Sequence, residues 1–144
     1  MTQPSIPPIP EFLAQLRRTY RRVNGRLDSE LAATGLTTPQ YTVLGLLERD
    51  GELSSSDLAR ESLVTAQTMN VLVTALEACG MVARRRHPGH GRILLVALTP
   101  AGRTALIRGR ELAAGVEAQL LAPLSAAERT RLIGYLRAVE QAQT

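Results

Sequence analysis

The sequence contains no lysine and no tryptophan, and it has a single cysteine among its 144 residues. One cysteine, Cys79, excludes an intramolecular disulfide framework and fits a reducing compartment, so a cytoplasmic location is the expectation. No apolar run approaches the ~20 residues needed to cross a bilayer, so no membrane span is expected. Met1 to Pro10 has neither a basic start nor a hydrophobic stretch and does not read as a secretory signal. Also missing are a nucleophile beside a plausible base, a phosphate-cradling glycine loop and a metal-ligand motif. An enzyme, a cofactor and a bound metal are therefore not expected. His87 and His90 are the only histidines, and without Asp, Glu or Cys nearby they do not form a ligand set.

What is present is positive charge. All 17 basic residues are arginine, the formal net charge is +4, and the sequence pI is near 10.2. The excess suits a polyanionic partner if the arginines gather on recognisable elements. A hydrophobic fraction of 44% and a mean hydropathy of -0.02 describe a globular protein, and the length fits a single unit over residues 1–144.

Along the chain, Thr2 to Pro10 is proline-rich and reads as an extended tail. From about Glu11 to Ala33, the residues Leu13, Leu16, Tyr20, Val23, Leu27 and Leu31 recur at spacings of three and four, the stripe of a long amphipathic helix. Its other faces carry Arg17, Arg18, Arg21, Arg22 and Arg26, and Gly35 supplies the stop. A second helix is expected with Thr38 as N-cap and Pro39 at the first helical position, ending near Gly51. Ser54 followed by Asp57 resembles a capping box and opens a short helix from Ser55 to Glu61. Ser62 to Val64 form a turn, Thr65 caps a further helix from Ala66 to about Cys79, and Gly80 ends it. Two short helices joined by such a turn are the signature of a helix-turn-helix.

After Gly80 the pattern alternates from Val82 to His87, breaks at Pro88-Gly89-His90-Gly91 and returns as a β-rich run from Arg92 to Thr99, a hairpin. Thr99-Pro100 opens a helix to roughly Leu121, lined by Leu106, Leu112, Val116 and Leu120. Ser125 and Glu128 cap a last helix lined by Leu132, Ile133, Leu136 and Val139. The fold class is mainly α with a small β-hairpin wing.

A helix-turn-helix lays its second helix in the major groove of duplex DNA. A helical wheel over that helix puts Met69, Leu72, Val73, Leu76 and Cys79 on one inner face, where Cys79 reads as a small core residue rather than a redox sensor. The opposite face presents Gln67, Asn70, Val71, Thr74 and Ala78, with Ala66 and Thr68 at its N-terminal end. Asn and Gln can pair bidentately with adenine, Thr can donate or accept, and Val71 can meet a thymine methyl. Ser54, Ser55 and Thr65 read as backbone contacts or helix caps. On the wing, Arg84, Arg85, Arg86 and Arg92 surround the loop with His87 and His90. Such a cluster is self-repelling unless a polyanion meets it or nearby acids pair with it.

Several pieces in this order resemble the MarR family of bacterial regulators: Leu36-Thr37-Thr38-Pro39-Gln40-Tyr41 with Val43-Leu44, then Asp57-Leu58-Ala59 and Leu76 to Val82. Arg84-Arg85 and Leu98-Thr99-Pro100-Ala101-Gly102 complete the set. The family's wing carries Asp-x-Arg before the returning strand, whereas here His90 stands at the Asp position and Arg92 keeps the arginine. Val71 stands where an arginine or another polar residue is common. The resemblance implies a winged helix-turn-helix over residues 36–99 and a homodimer joined through helices in 11–34 and 100–144. It further implies a pseudo-palindromic double-stranded DNA site, minor-groove entry by Arg92, and repression relieved by a small amphipathic or aromatic effector. Tyr20 and Tyr41 are the aromatic candidates for lining an effector site, set against ordinary core packing for both. The competing expectation is a winged-helix protein-interaction module whose basic wing meets an acidic partner.

Overall fold

In the computed structural model, residues 7–142 are described. Helix α1 (Glu11–Leu31) runs into a short 3-10 turn (Ala32–Thr34), and Gly35, at φ 74°, reverses the chain. Helix α2 (Thr38–Asp50), strand β1 (Leu53–Ser54), helix α3 (Ser55–Glu61) and helix α4 (Ala66–Ala78) follow. Strands β2 (Val82–Arg86) and β3 (Leu94–Leu98) form the hairpin, and helices α5 (Pro100–Leu120) and α6 (Ala126–Gln141) complete the chain. Of the proline-rich tail, residues 1–6 lie outside the described residues, and Pro7 to Pro10 adopt no regular structure.

Three boundaries and one strand differ from the sequence expectation. The N-cap of α2 is Thr37, not Thr38: its hydroxyl accepts from the Gln40 backbone N–H, and the Gln40 side chain reaches back to the Thr37 N–H at 3.1 Å. Pro39 therefore sits one position further in, where its missing N–H still costs no helical bond. The first long helix tightens into the 3-10 turn instead of continuing to Ala33. Strand β3 begins at Leu94, which leaves Arg92 in the loop. Strand β1 was not anticipated, and it makes the sheet three-stranded in the order β1-β3-β2. All pairs are antiparallel, with Leu53 opposite Val96 and Val82 opposite Leu98.

The core lies where α2, α3 and α4 meet the sheet and the start of α5. Val43, Leu44, Leu58, Met69, Val73, Leu76, Val82, Val96 and Leu106 are all buried. Burying each such side chain stabilises the fold by roughly 1.5–3 kcal/mol. Gly102 lets α5 press onto the sheet, because a Cβ there would lie 2.0 Å from the Met81 carbonyl oxygen. Gly109 gives the Tyr41 ring its place: a Cβ there would lie 2.9 Å from the ring. The inner face of α4 holds Met69, Val73 and Leu76 as expected, with Leu72 half-buried, but Cys79 is exposed. The helix ends at Ala78, and Cys79 is its C-cap, still bonded through its N–H to the Ala75 carbonyl but exposed at the helix end.

The terminal helices are different. No residue of α6 is buried within this chain, and in α1 only Leu31 is. Phe12, Leu13, Leu16, Leu136 and Val139 are exposed apolar residues on these two helices.

Candidate nucleic-acid interface

Three elements frame one groove. The N-terminal end of α3, the outer face of α4 and the wing loop enclose a space of about 660 Å³ lined by Ser54, Ser55, Asn70, Thr74, Arg84 and Arg92. Each wall has a local cause. Ser54 caps α3 by accepting from the Asp57 N–H at 3.1 Å, and its hydroxyl donates to the Asp57 carboxylate at 2.7 Å. That bond, followed by the Arg60 charge, holds the Asp57 carboxyl below its ordinary value. Thr65 caps α4 in the same way, accepting from the Thr68 N–H at 3.1 Å, and its hydroxyl donates to Thr68 Oγ1 at 2.9 Å. Ser54 and Thr65 therefore serve as helix caps, and Ser55 occupies the first helical position of α3.

The turn between α3 and α4 closes with two reverse bonds, from Leu63 N–H to the Arg60 carbonyl and from Val64 N–H to the Ala59 carbonyl. This is a Schellman cap, a geometry that favours glycine, yet Leu63 stands at the left-handed position with φ 54° and is 93% exposed. Beyond it, Ala66, Gln67, Thr68, Asn70, Val71 and Thr74 are all exposed along one side of α4. The absence of charge from this surface suits contact with base edges more than mere solvation. Val71 is 65% exposed, an apolar side chain with nothing in this chain to cover it.

The four wing arginines divide into two pairs. Arg84 and Arg85 are bound within the protein: Arg84 to Glu77 at 3.2 Å, and Arg85 to Glu52 through a two-pronged pair whose Nε bond measures 2.7 Å. The Arg85 bonds hold the Glu52 carboxyl below its ordinary value. They tie β2 to the turn that leads into β1. Arg86 and Arg92, in contrast, have no acidic partner among the described residues and lie exposed at either side of the loop. The sequence left open whether a polyanion or nearby acids meet these four charges, and acids of the chain meet two of them. Of the partners that sequence reading missed, Glu77 stands seven positions before Arg84, across the turn out of α4, and Glu52 stands 33 before Arg85. Only the packing of β2 against α4 and against the β1 turn brings them near.

The loop itself is braced without a local ion pair. His87 Nδ1 accepts from the Gly89 N–H at 2.9 Å, the His87 N–H donates to the Ile93 carbonyl at 2.8 Å, and the Ile93 N–H donates to the His90 carbonyl at 2.9 Å. The two histidine rings lie 5.3 Å apart. Among the described residues no group of three or more His, Cys, Asp or Glu could hold a metal.

The two tyrosines considered for an effector site separate. Tyr41 packs on the core against Gly109, whereas Tyr20 is 66% exposed and borders a hollow of about 330 Å³ between α1, α2 and the helix-turn-helix turn. The same hollow is bordered by Asn24, Thr42, Leu72 and Ser62, and the Ser62 hydroxyl is buried with no hydrogen-bond partner among the described residues.

A helix-turn-helix followed by a wing on a small antiparallel sheet defines a class of DNA-binding regulators, and known proteins of that class match this chain. A family model described as the MarR family matches residues 34–93. The HTH-type transcriptional repressor Rv2887 of Mycobacterium tuberculosis is 36% identical over 103 residues, which cover 72% of this chain and 74% of that protein. The crystal structure of Rv2887 in complex with salicylic acid superposes with a TM-score of 0.73 at 30% identity, covering 94% of this chain and 98% of that one. The structure of Bordetella bronchiseptica BpsR, from work on regulation of its DNA binding by 6-hydroxynicotinic acid, gives a TM-score of 0.81 at 26% identity. It covers 90% of this chain and 98% of that one. The chain belongs to the MarR family, as a winged helix-turn-helix transcriptional regulator. No helix among the described residues is long and apolar enough to cross a membrane.

Proposed function

We propose that the protein is a cytoplasmic transcriptional repressor that binds, as a homodimer, a pseudo-palindromic duplex site and leaves it when a small aromatic effector binds. One observation carries the DNA-reading part. The uncharged polar face of α4 and the unpaired Arg92 of the wing open on the same groove. A duplex seated there meets base-edge partners from the helix and a phosphate or minor-groove partner from the wing in one step. Gln67 and Val71 extend the reading face along the helix, and Arg86, His87 and His90 extend the cationic rim.

The dimer follows from the terminal helices. An apolar hollow of about 640 Å³ among α1, α5 and α6, bordered by Val23, Leu27, Val116, Leu120, Leu132 and Leu136, is open in the single chain. Exposed apolar area of this extent is covered in a stable protein, and a two-fold copy of the same helices covers it symmetrically. The effector reading rests on the hollow beside Tyr20. It touches α4 through Leu72 and the turn through Ser62, whose unpartnered hydroxyl offers a polar contact. Its volume suits a single-ring compound, in keeping with the salicylic acid and 6-hydroxynicotinic acid named with the two relatives.

Selection of bound sequences from a random duplex library at near-physiological salt tests the reading. The expected product is a pseudo-palindrome with half-sites about one helical turn apart. The Arg92→Ala variant is expected to select the same major-groove bases with a salt slope lower by about one. If no sequence is enriched, the protein-interaction alternative replaces the DNA reader.

A further inference from the structure

Arg84 lies in the groove, yet its hydrogen bonds are made inside the protein. From β2 its Nη2 donates to Asn70 Oδ1 at 2.9 Å and to Thr74 Oγ1 at 3.3 Å, and its Nη1 donates to Glu77 Oε1 at 3.2 Å. The Arg84 backbone N–H adds a bond to Glu77 Oε2 at 3.0 Å. The side chain is only 17% exposed, far less than the other wing arginine held by an acid, Arg85, at 50%. One guanidinium thus touches three successive turns of the outer face of α4.

The chemistry of those contacts has a direction. A guanidinium carries donors and no acceptor, so any carboxamide that binds it must turn its oxygen toward it. Asn70 therefore presents its Nδ2 amine elsewhere, and that amine has no hydrogen-bond partner among the described residues. The Thr74 hydroxyl likewise accepts from Arg84, which leaves its own proton for another acceptor. With each oxygen drawn toward a cation, both side chains turn their donors, rather than their oxygens, outward.

We propose that Arg84 is a positioning residue for base specificity: by occupying the acceptor atoms of Asn70 and Thr74, it makes this part of the reading helix select guanine over adenine. Guanine presents two adjacent acceptors, N7 and O6, in the major groove, whereas adenine presents one acceptor and one donor. Bidentate pairing of Asn70 with adenine requires the carboxamide oxygen to face the base, whereas Arg84 turns it toward β2. The proposal rests on the assignment of α4 as the reading helix.

The test is the same selection from a random duplex library, carried out with the unmodified protein, Asn70→Ala, Arg84→Met and Asn70→Asp, each checked for a cooperative thermal transition. The position read by Asn70 is the one whose preference vanishes in Asn70→Ala. There the unmodified protein is expected to prefer guanine over adenine by on the order of 10-fold. Methionine keeps the apolar stem without donors, so Arg84→Met is expected to move the preference at that one position to adenine. Asn70→Asp keeps the shape and puts a second carboxylate oxygen where the Nδ2 donor stood, with Arg84 on the first. It is expected to lose the guanine preference and to favour cytosine, whose N4 donates.

An Arg84→Met protein that loses affinity equally on all sequences, with its preferences unchanged, overturns the proposal and makes Arg84 a structural brace. If that variant does not fold, Asn70→Asp decides alone: a guanine preference that survives there means that the Asn70 amide does not supply it and overturns the proposal. An adenine preference in the unmodified protein also overturns it while leaving the DNA-reading function intact. Only a failure of the unmodified protein to enrich any sequence removes both together.

Discussion

Asp28 joins two helices through a single carboxylate oxygen. Its Oδ1 accepts from the Thr38 backbone N–H at 2.8 Å and from the Thr38 hydroxyl at 2.6 Å. Thr38 is the first residue of α2, so the bond satisfies one of the N–H groups that a helix start leaves open and places a negative charge at its positive end. The Thr38 hydroxyl bond, and after it the backbone bond, hold the Asp28 carboxyl below its ordinary value of 3.8. A carboxylate whose folded-state value is depressed contributes stability that is fully present above the ordinary value and is lost as pH falls through the depressed one. Asp28→Asn is therefore expected to lower Tm at neutral pH by roughly 2–4 °C. The gap to the parent protein should close as the pH is taken well below 3.8. Thermal melts of both proteins across that range check it, and a gap that does not change with pH assigns the loss to something other than the charge. Little of this was legible in the sequence. Asp28 lies on a helix otherwise read through its apolar stripe, and its partner is ten positions away, a distance that no helical spacing predicts.

At the scale of elements, helix ends and turns were the most legible features, because capping is local chemistry. Ser54, Thr65, Thr99 and Ser125 each cap the helix expected of them, and the Ser125–Glu128 box is reciprocal, with bonds of 2.7 and 3.2 Å. Where two residues could serve, as at Thr37 and Thr38, the deciding contact was the Gln40 side chain, which a residue-by-residue scan does not weigh. Strand β1 escaped because two residues carry no periodicity, and their pairing with β3 depends on chain more than forty residues away. The wheel over α4 misplaced Cys79 because a wheel gives a direction around the helix and not whether anything covers its last turn, where Ala78, Cys79 and Gly80 are all exposed.

The two Schellman caps make a controlled comparison within one protein. At the end of α4, Gly80 takes the left-handed position at φ 73°, with Met81 N–H bonded to the Leu76 carbonyl at 2.9 Å. At the end of α3 the same position holds Leu63, whose side chain gains no burial there. A left-handed non-glycine residue costs about 1–2 kcal/mol, partly offset by the greater chain entropy glycine loses on folding. Leu63→Gly is thus expected to stabilise the protein by about 0.5–1 kcal/mol in denaturant unfolding. A destabilised variant would mean that Leu63 is buried by something outside the single chain.

The whole molecule divides into a half that closes on itself and a half that does not. The winged region has its core complete within one chain, while α6 and most of α1 leave their apolar faces open. The sequence stripes on these helices were plain, but a stripe says only that a face is apolar, and the structure adds that this chain does not cover it. If a second copy does, Leu136→Glu puts a charge into that seam. The variant is expected to keep its helical content, sediment as a monomer and lose DNA affinity by on the order of 10²-fold or more, since one reading head no longer tethers the other. A variant that remains dimeric places the interface elsewhere.

The central claim is that α4 and the wing together read base sequence in duplex DNA. The most direct measurement is the affinity of the unmodified protein for its selected site and for a scrambled duplex of the same composition, both at near-physiological salt. Reading by the Gln67, Asn70 and Thr74 face predicts a ratio of about 10³ or more, and a steep salt dependence on both duplexes. Equal affinity for the two duplexes would contradict it, reducing the wing to a general anion-binding surface and leaving the reading face without a reader's role.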